Sequence, residues 1–111
     1  MSKRKVRKDG ERLRALIEEA TVDCYGEDEE LTGLWTMIED QVVCPFRAKV
    51  VGEEVKVIGF EWPDVGNVFY AVCERNRKKY RVDLSSLEWI KPYPEGFEWI
   101  EAYLAWREWN S

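Results

Sequence analysis

Nine carboxylates and no basic residue fall within the 23 residues from Glu18 to Asp40, a stretch that we call the acidic segment. Like charges crowded in this way repel one another, so water, the positive end of a helix dipole or a bound cation must offset the repulsion. Ca²⁺ takes six to eight oxygen ligands, which several carboxylates on a flexible loop can supply. The densest part of the acidic segment has this composition, because five carboxylates surround Gly26 between Asp23 and Glu30.

The spacing of these carboxylates does not match the loop of an EF-hand. If Asp23 took the first position, Tyr25 would take the third and Leu34 the twelfth. Asp28 would then stand at the sixth position, where that loop needs glycine. A calcium site in this segment would therefore need a different geometry, and an acidic helix N-terminus in water remains the alternative interpretation.

Glu39 and Asp40 form a second acidic pair near the other end of the predicted helix, where negative charge is unfavourable. They could form ion pairs with Lys49 or Arg47 on the strand that follows. A second cation position is the other interpretation, so the pair is kept as a set of outer ligand candidates.

Catalytic chemistry has little support in this sequence. The chain contains no histidine, which excludes histidine-based zinc sites, acid/base pairs and triads. Cys24, Cys44 and Cys73 lie far apart and form no CxxC pair, so we expect small buried side chains in a reducing compartment. No nucleophile with an adjacent base and no phosphate-binding glycine loop can be assembled. We therefore predict that the protein is not an enzyme.

Two further groups of residues could bind a partner. Five basic side chains surround Tyr80 between Arg75 and Arg81, on a predicted hairpin that could contact phosphates, a protein, or the protein's own acidic segment. Six tryptophans suit core packing or, alternatively, an aromatic groove for a partner peptide. The residues selected for partner binding are Trp62, Trp99, Trp109, Arg75, Arg77, Lys78 and Lys79.

The elements that position these residues follow from hydrophobic periodicity. Apolar residues at helical spacing predict one helix over 9–20 and a second from about Glu27 to Gln41, with four carboxylates in its first turn. Gly33 inside the second helix suggests a close packing contact. The residues between the helices, 21–25, could be a short extended segment.

After Pro45 the apolar pattern changes to a period of two, which predicts strands. The expected strands are 46–51, 54–60, 68–74 and 79–83, followed by a 3₁₀ turn at 85–87, a short strand at 88–90 and a C-terminal helix over 95–109. Pro92 and Pro94 should place a proline at or near the first position of that helix. The predicted fold class is α+β: a small antiparallel SH3-like barrel or curved sheet of four to five strands, with two N-terminal helices and one C-terminal helix.

The length of 111 residues indicates a single domain over 9–111, preceded by a flexible basic arm over 1–8. Residues 1–14 carry a local charge of +5 and the remaining residues carry −10, so the body should repel nucleic acid and attract cations or basic partners. No apolar run approaches the roughly 18 residues of a membrane span, and no signal-type stretch follows Met1. We therefore expect a cytoplasmic protein without a membrane partner.

The order of several motifs resembles that of a family of small prokaryotic proteins labelled calcium-binding. These motifs are VDCYGEDEE at 22–30, IED at 38–40, CPFRA at 44–48, VKVIG at 55–59, LSSLE at 84–88 and the tryptophan-bearing helix at 100–109. The resemblance covers about residues 21–109, nearly the whole predicted domain. It implies a mixed α/β domain that binds calcium.

Carboxylate density and this resemblance together give the leading hypothesis, a non-enzymatic acidic module that binds Ca²⁺. The expected ligands are Asp23, Glu27, Asp28 and Glu30, with Glu39 and Asp40 as outer candidates. Without an EF-hand cage, the expected Kd is on the order of 10⁻⁵–10⁻³ M. The alternative is an SH3-like protein-interaction module that uses exposed aromatic rings and the basic hairpin, and RNA binding is the third hypothesis.

Overall fold

The computed structural model describes residues 2–63 and 66–110, and the side chains of residues 10–63 and 66–110. Along the described residues, three helices and five strands follow one another, with one 3₁₀ turn between the last two strands. They are α1 (Ser2–Ala20), α2 (Glu27–Gln41), β1 (Phe46–Val50), β2 (Glu53–Glu61), β3 (Tyr70–Arg75), β4 (Lys78–Asp83), the 3₁₀ turn (Leu84–Ser86), β5 (Glu88–Trp89) and α3 (Phe97–Trp109). None of the helices described is long and apolar enough to cross a membrane.

The five strands form one antiparallel sheet in the order β4-β3-β2-β1-β5. Within the described chain, β4 and β5 are the two edges and do not pair with each other, so the sheet is open. The predicted α+β class is confirmed, whereas the SH3-like barrel is not. A register shift between Val57 and Gly59 marks a bulge, which bends the longest strand of the sheet.

The core lies between one face of the sheet and helices α2 and α3. Alternation in β2 buries Val55 and Val57 while their neighbours remain outside, as the period-two pattern predicts. Leu34 and Ile38 of α2 have no exposed surface, and the same is true of Ile100 and Tyr103 of α3 and of Val57, Ala71 and Cys73 of the sheet. Each leucine, isoleucine or valine among them contributes about 1.5–3 kcal/mol of transfer free energy, so the two helices are firmly held on the sheet.

Gly33 confirms the close contact that its position in α2 predicts. A Cβ atom at this position would overlap the backbone carbonyl of Ala20 at the end of α1. Only glycine therefore allows α1 and α2 to approach each other this closely.

The C-terminal end of α2 is fastened to the start of α3. The Val43 N–H donates to the Glu95 carbonyl at 2.9 Å, and a Cβ atom at Gly96 would overlap the backbone of Gln41. Gly96 has a φ of 86°, the left-handed conformation that glycine tolerates, and α3 begins with Phe97. The proline predicted at the first helical position instead lies outside the helix, where the Pro94 carbonyl accepts the Phe97 N–H at 3.1 Å.

Other differences from the predicted boundaries have local causes. Residues 2–8, predicted as a flexible basic arm, continue α1 in the structure. Residues 21–23 form a turn, with Asp23 at a φ of 64°, where a short extended segment was expected. Strand β3 begins at Tyr70, two residues later than predicted, because the Phe69 N–H donates to the Tyr103 hydroxyl at 2.9 Å instead of to a strand.

Candidate metal centre

The first turn of α2 carries four carboxylates, Glu27, Asp28, Glu29 and Glu30, as the sequence predicts. The N-cap is Gly26, whose φ of 107° suits glycine and which has no side chain to cap the helix. Instead, Glu29 Oε1 accepts the N–H of Tyr25 at 2.7 Å. The helix end supplies about half a positive charge, which offsets only a small part of the charge of four carboxylates. The surface around this turn is therefore strongly negative.

A cavity of about 500 Å³ lies beside this turn. Three elements line it: α2, the connection between β2 and β3, and α3. The lining residues are Glu27, Asp28, Leu31 and Thr32 of α2, Trp62, Gly66 and Asn67 of the connection, and Trp106 of α3. The lining therefore includes two residues with a carboxylate, one with a hydroxyl and one with an amide, all of which carry side-chain oxygen atoms.

The α3 side of the cavity is held by a hydrogen bond between two helices. The buried indole Nε1 of Trp106 donates to Glu30 Oε1 at 2.9 Å. Because the acceptor is charged, this bond is stronger than one between neutral groups. It fixes the position of Glu30 at the margin of the cavity and leaves the other carboxylate oxygen of Glu30 without a hydrogen bond among the described residues.

The β2–β3 side of the cavity is held by two aromatic side chains. The Tyr103 hydroxyl, which is buried, donates to the backbone oxygen of Asn67 at 2.6 Å and accepts the Phe69 N–H at 2.9 Å. Burial raises the pKa of Tyr103, so its hydroxyl keeps its proton at neutral pH. The Trp62 ring packs 5.3 Å from Phe69, and its Nε1 donates to the Gly66 oxygen at 3.4 Å.

The structure separates the six predicted metal ligands into three places. Glu27 and Asp28 line the cavity, Glu30 lies at its margin, and Asp23 is exposed in the turn before α2. Glu39 and Asp40 are exposed at the far end of α2, and twelve residues of helix separate Glu27 from Glu39 by about 18 Å. Over the described chain, no three or more Cys, Asp or Glu side chains form a group that could hold a metal ion. As a ligand set, the six residues remain a prediction.

No lysine or arginine neutralises these six carboxylates among the side chains of residues 10–63 and 66–110. Arg47, a possible partner of Glu39 and Asp40, pairs with Glu54 at 2.6 Å instead. The basic hairpin does not dock on the acidic segment, since Arg75 and Arg81 pair with carboxylates of the sheet. The negative charge at the start of α2 is therefore left without an internal cation within the described chain.

The pKa of the Cys24 thiol is affected by the same negative charge. Its Sγ donates to the backbone oxygen of Glu29 at 3.4 Å, directly beside the first turn of α2. Desolvation and the charges of Glu29, Glu30 and Asp23 all raise the pKa of Cys24. The neutral thiol is thus favoured at a place where negative charge already accumulates.

The residues selected for partner binding do not form one surface. Trp99 is only 5% exposed and belongs to the core, so its ring is not available to a partner. Trp62 is half-buried beside the cavity, and the Trp109 ring lies 5.3 Å from the guanidinium of Arg14. Arg75 pairs with Glu53. The remaining three, Arg77, Lys78 and Lys79, are exposed and have no ionic partner among the described residues.

Sequence reasoning missed Thr32, Asn67, Tyr103 and Trp106 as parts of this centre. Neutral oxygen ligands have no distinctive spacing in a sequence. The residues around Asn67 (Pro, Asp and Gly) predict only a loop. The available signal was the pair Tyr103 and Trp106, polar-tipped aromatic residues three apart on one helix, which need hydrogen-bond partners when buried.

Comparison with known proteins identifies the class to which this architecture belongs. Residues 14–107 match the CcbP family, whose description is calcium binding, and the chain therefore belongs to this family. The calcium-binding family predicted from the order of motifs is thereby confirmed. Calcium is the ion that this family is described as binding.

Two solved structures share the fold. The crystal structure of Anabaena CcbP has 23% sequence identity and a TM-score of 0.73, covering 87% of this chain and 89% of that chain. A calcium-binding protein in its calcium-binding form has 23% identity and a TM-score of 0.71, covering 90% of this chain and 92% of that chain. No curated protein matches the chain.

Proposed function

We propose that this protein binds Ca²⁺ in the cavity between the first turn of α2 and the β2–β3 connection. The observation that carries the proposal is that Glu27 and Asp28 line this cavity without a cationic partner among the described side chains. Membership of a family described as calcium-binding supports it, and so does the fold shared with a protein studied in its calcium-binding form.

The donor atoms around the cavity have the chemistry that Ca²⁺ prefers. Glu27 and Asp28 offer carboxylate oxygens, and Asn67 offers an amide oxygen with no hydrogen bond among the described residues. The Thr32 hydroxyl donates to the Asp28 backbone oxygen at 3.0 Å, which leaves its own oxygen able to accept or coordinate. Ca²⁺ accepts such mixed oxygen sets with flexible geometry, whereas Mg²⁺ demands a near-ideal octahedron.

The charge balance favours a weak site. This cavity offers two carboxylates, fewer than an EF-hand loop, so it attracts the ion less strongly. The positive end of the α2 dipole also repels the cation slightly. Water must then complete six to eight ligands. The expected Kd is on the order of 10⁻⁵–10⁻³ M. Glu30 and Asp23 contribute through the local field, and Glu39 and Asp40 offer a separate, weaker position at the far end of α2.

The test is a titration with Tb³⁺, which occupies calcium sites and emits when a nearby tryptophan is excited. Trp62 and Trp106 line the cavity, so we expect sensitised emission that Ca²⁺ displaces. The variant E27Q/D28N should raise the Ca²⁺ Kd about tenfold or more, equivalent to about 1.4 kcal/mol.

The matched control is E39Q/D40N, which removes the same two charges from the other end of the same helix. We expect its Ca²⁺ Kd to stay within about twofold of the unchanged protein, because exposed charges separated by more than a Debye length are screened. Absence of emission, with amide NMR shifts unchanged at millimolar Ca²⁺, would overturn the proposal. If both variants weakened Ca²⁺ binding equally, the effect would be one of net charge and not of a site at Glu27 and Asp28.

We also propose that the protein is a binding module and not an enzyme. The family is described by ion binding and not by a reaction. The chain contains no histidine, and the Cys24 thiol beside these acids is favoured in its neutral form because its pKa is raised, so it is a poor nucleophile. The protein-interaction hypothesis remains a second candidate, because the β4 edge of the sheet is basic and its outer side pairs with no strand of the described residues.

A further inference from the structure

Strand β4 is an unprotected edge of the sheet. Its six residues pair with β3 on one side, from Arg75 opposite Lys78 to Tyr70 opposite Asp83. Within the described chain, no other strand pairs with its outer side, and no loop or helix hydrogen-bonds to that backbone. An edge of this kind presents a row of main-chain donors and acceptors to another strand. The other edge, β5, has only two residues and offers a much shorter row.

The charge of this edge is opposite to that of the protein. Residues 75–81 carry five positive charges and no negative charge, while the whole chain carries −5. Arg75 and Arg81 are partly neutralised by Glu53 and Glu61 of β2. Arg77, Lys78 and Lys79 have no such partner among the described residues, so the β4 edge keeps an uncompensated positive field.

A depression next to the hairpin turn adds a place for a side chain. It has a volume of about 340 Å³ and is lined by Arg75, Asn76, Lys78 and Tyr80. Tyr80 is 39% exposed, so part of its ring is available for contact. Two cations beside an aromatic ring suit the carboxylate and methylene groups of a glutamate.

We propose that β4 binds an extended acidic segment of a partner protein as an added strand. Main-chain hydrogen bonds to β4 would give affinity, and the cations at 75–81 would select for acidic side chains. Lysines on an edge strand normally prevent association between sheets. Here they exclude neutral and basic strands and admit one that carries negative charge.

Two other occupants fit less well. A second copy of this chain presents its densest acids, Glu27–Glu30, on a helix, which cannot add to the sheet as a strand. A nucleic acid would meet a body whose residues after position 14 carry a net charge of −10, which repels phosphates close to a small basic edge. An extended acidic peptide uses both the backbone and the charge of β4.

The test uses the full chain and a fluorescein-labelled peptide of about eight residues in which Glu alternates with Val. Anisotropy should report binding that weakens as ionic strength increases, and amide hydrogen exchange should slow in β4. A peptide with Gln in place of Glu should bind about tenfold more weakly or worse. A peptide with a central Pro should also lose affinity, because Pro removes a main-chain donor and breaks strand pairing.

The variant K78E/K79E should weaken binding of the acidic peptide at least about tenfold. The control K49E/K91E makes the same charge change at two lysines away from β4 and should leave binding nearly unchanged. Equal effects of the two variants, or equal binding of the Pro peptide, would overturn the proposal. If a single-stranded oligonucleotide bound more tightly than the acidic peptide, the edge would be assigned to nucleic acid. If the β4 amides were already protected from hydrogen exchange in a homodimer without peptide, the edge would be assigned to a second copy of this chain.

Discussion

At the level of single residues, the proposed calcium centre depends on neutral oxygen atoms as well as on carboxylates. Asn67 lines the cavity across from Glu27 and Asp28, while its backbone is fixed by the Tyr103 hydroxyl. Its side-chain amide makes no hydrogen bond among the described residues. A residue held in place by its backbone, with a side chain that is still available, is suited to act as a ligand.

Asn67→Asp should therefore tighten Ca²⁺ binding, roughly three- to tenfold, because calcium sites gain affinity with ligand charge. Isothermal titration calorimetry measures this change directly. Asn76→Asp is the control, since it adds the same charge at the tip of the β3–β4 hairpin. If the two variants tighten binding equally, or if Asn67→Asp has no effect, Asn67 is not a ligand.

Of the residues that line the cavity, the two carboxylates could be singled out from the sequence, and the others could not. Glu27 and Asp28 stand out by local density within a few residues of one another. Asn67 and Trp106 come from distant parts of the chain, and only the packing of α3 and the β2–β3 connection brings them to α2. Local patterns contain no information about such long-range contacts.

At the level of elements, the helices and strands follow the hydrophobic pattern closely. Helix α2 has the predicted bounds, because a helical apolar stripe begins after Gly26 and ends before Pro45. The predicted start of α3, residue 95, is too early, because Gly96 in a left-handed conformation sets the boundary instead of the prolines. Whether the sheet is open or closed could not be derived either, since pairing between the edge strands β4 and β5 depends on the overall curvature and not on any one strand.

The junction of α1 and α2 gives a prediction at this scale. Gly33→Ala should lower the free energy of unfolding by about 1–3 kcal/mol, because the new Cβ would force the backbone of Ala20 away. Chemical denaturation measures the change. Gly10→Ala serves as the control: nothing lies within 4 Å of its Cβ position, and alanine should stabilise α1 by about 0.5–1 kcal/mol.

A destabilising effect of both substitutions would mean that replacing a helical glycine is costly even where no atom lies close, so the cost at Gly33 would not come from its contact with Ala20. A neutral Gly33→Ala would mean that α1 and α2 can separate slightly without loss of stability. Either result would contradict the role of Gly33 as a contact that only glycine permits.

At the level of the whole molecule, one ion pair ties α3 to the end of the sheet. Arg107 Nη1 and Nη2 donate to the two carboxylate oxygens of Asp83 at 2.7 and 3.0 Å. Burial alone would raise the pKa of Asp83, but the hydrogen bonds from Arg107 and Ser85 lower it overall. The same hydrogen bond raises the pKa of Arg107. The pair is bidentate and about three-quarters buried, so it is stronger than an exposed ion pair.

The pH dependence of stability follows from the lowered pKa of Asp83. Since the carboxylate is favoured in the folded state, its contribution is complete above the ordinary aspartate pKa of about 4 and is lost as pH falls through the lowered value. Asp83→Asn should cost about 1–3 kcal/mol at neutral pH. Denaturation between neutral and acidic pH should show this deficit shrinking in acid, and a deficit that stays constant would contradict the linkage.

Helix α2 is attached to α3 at both of its ends. Near its start, Glu30 accepts the indole N–H of Trp106. After its end, the Val43 N–H donates to the Glu95 carbonyl, and Gly96 packs against the backbone of Gln41. One helix therefore cannot slide along the other without breaking contacts at two distant points. A cation entering beside α2 would meet a scaffold that is already assembled, and the heat capacity change of binding should be small because little apolar surface is newly covered.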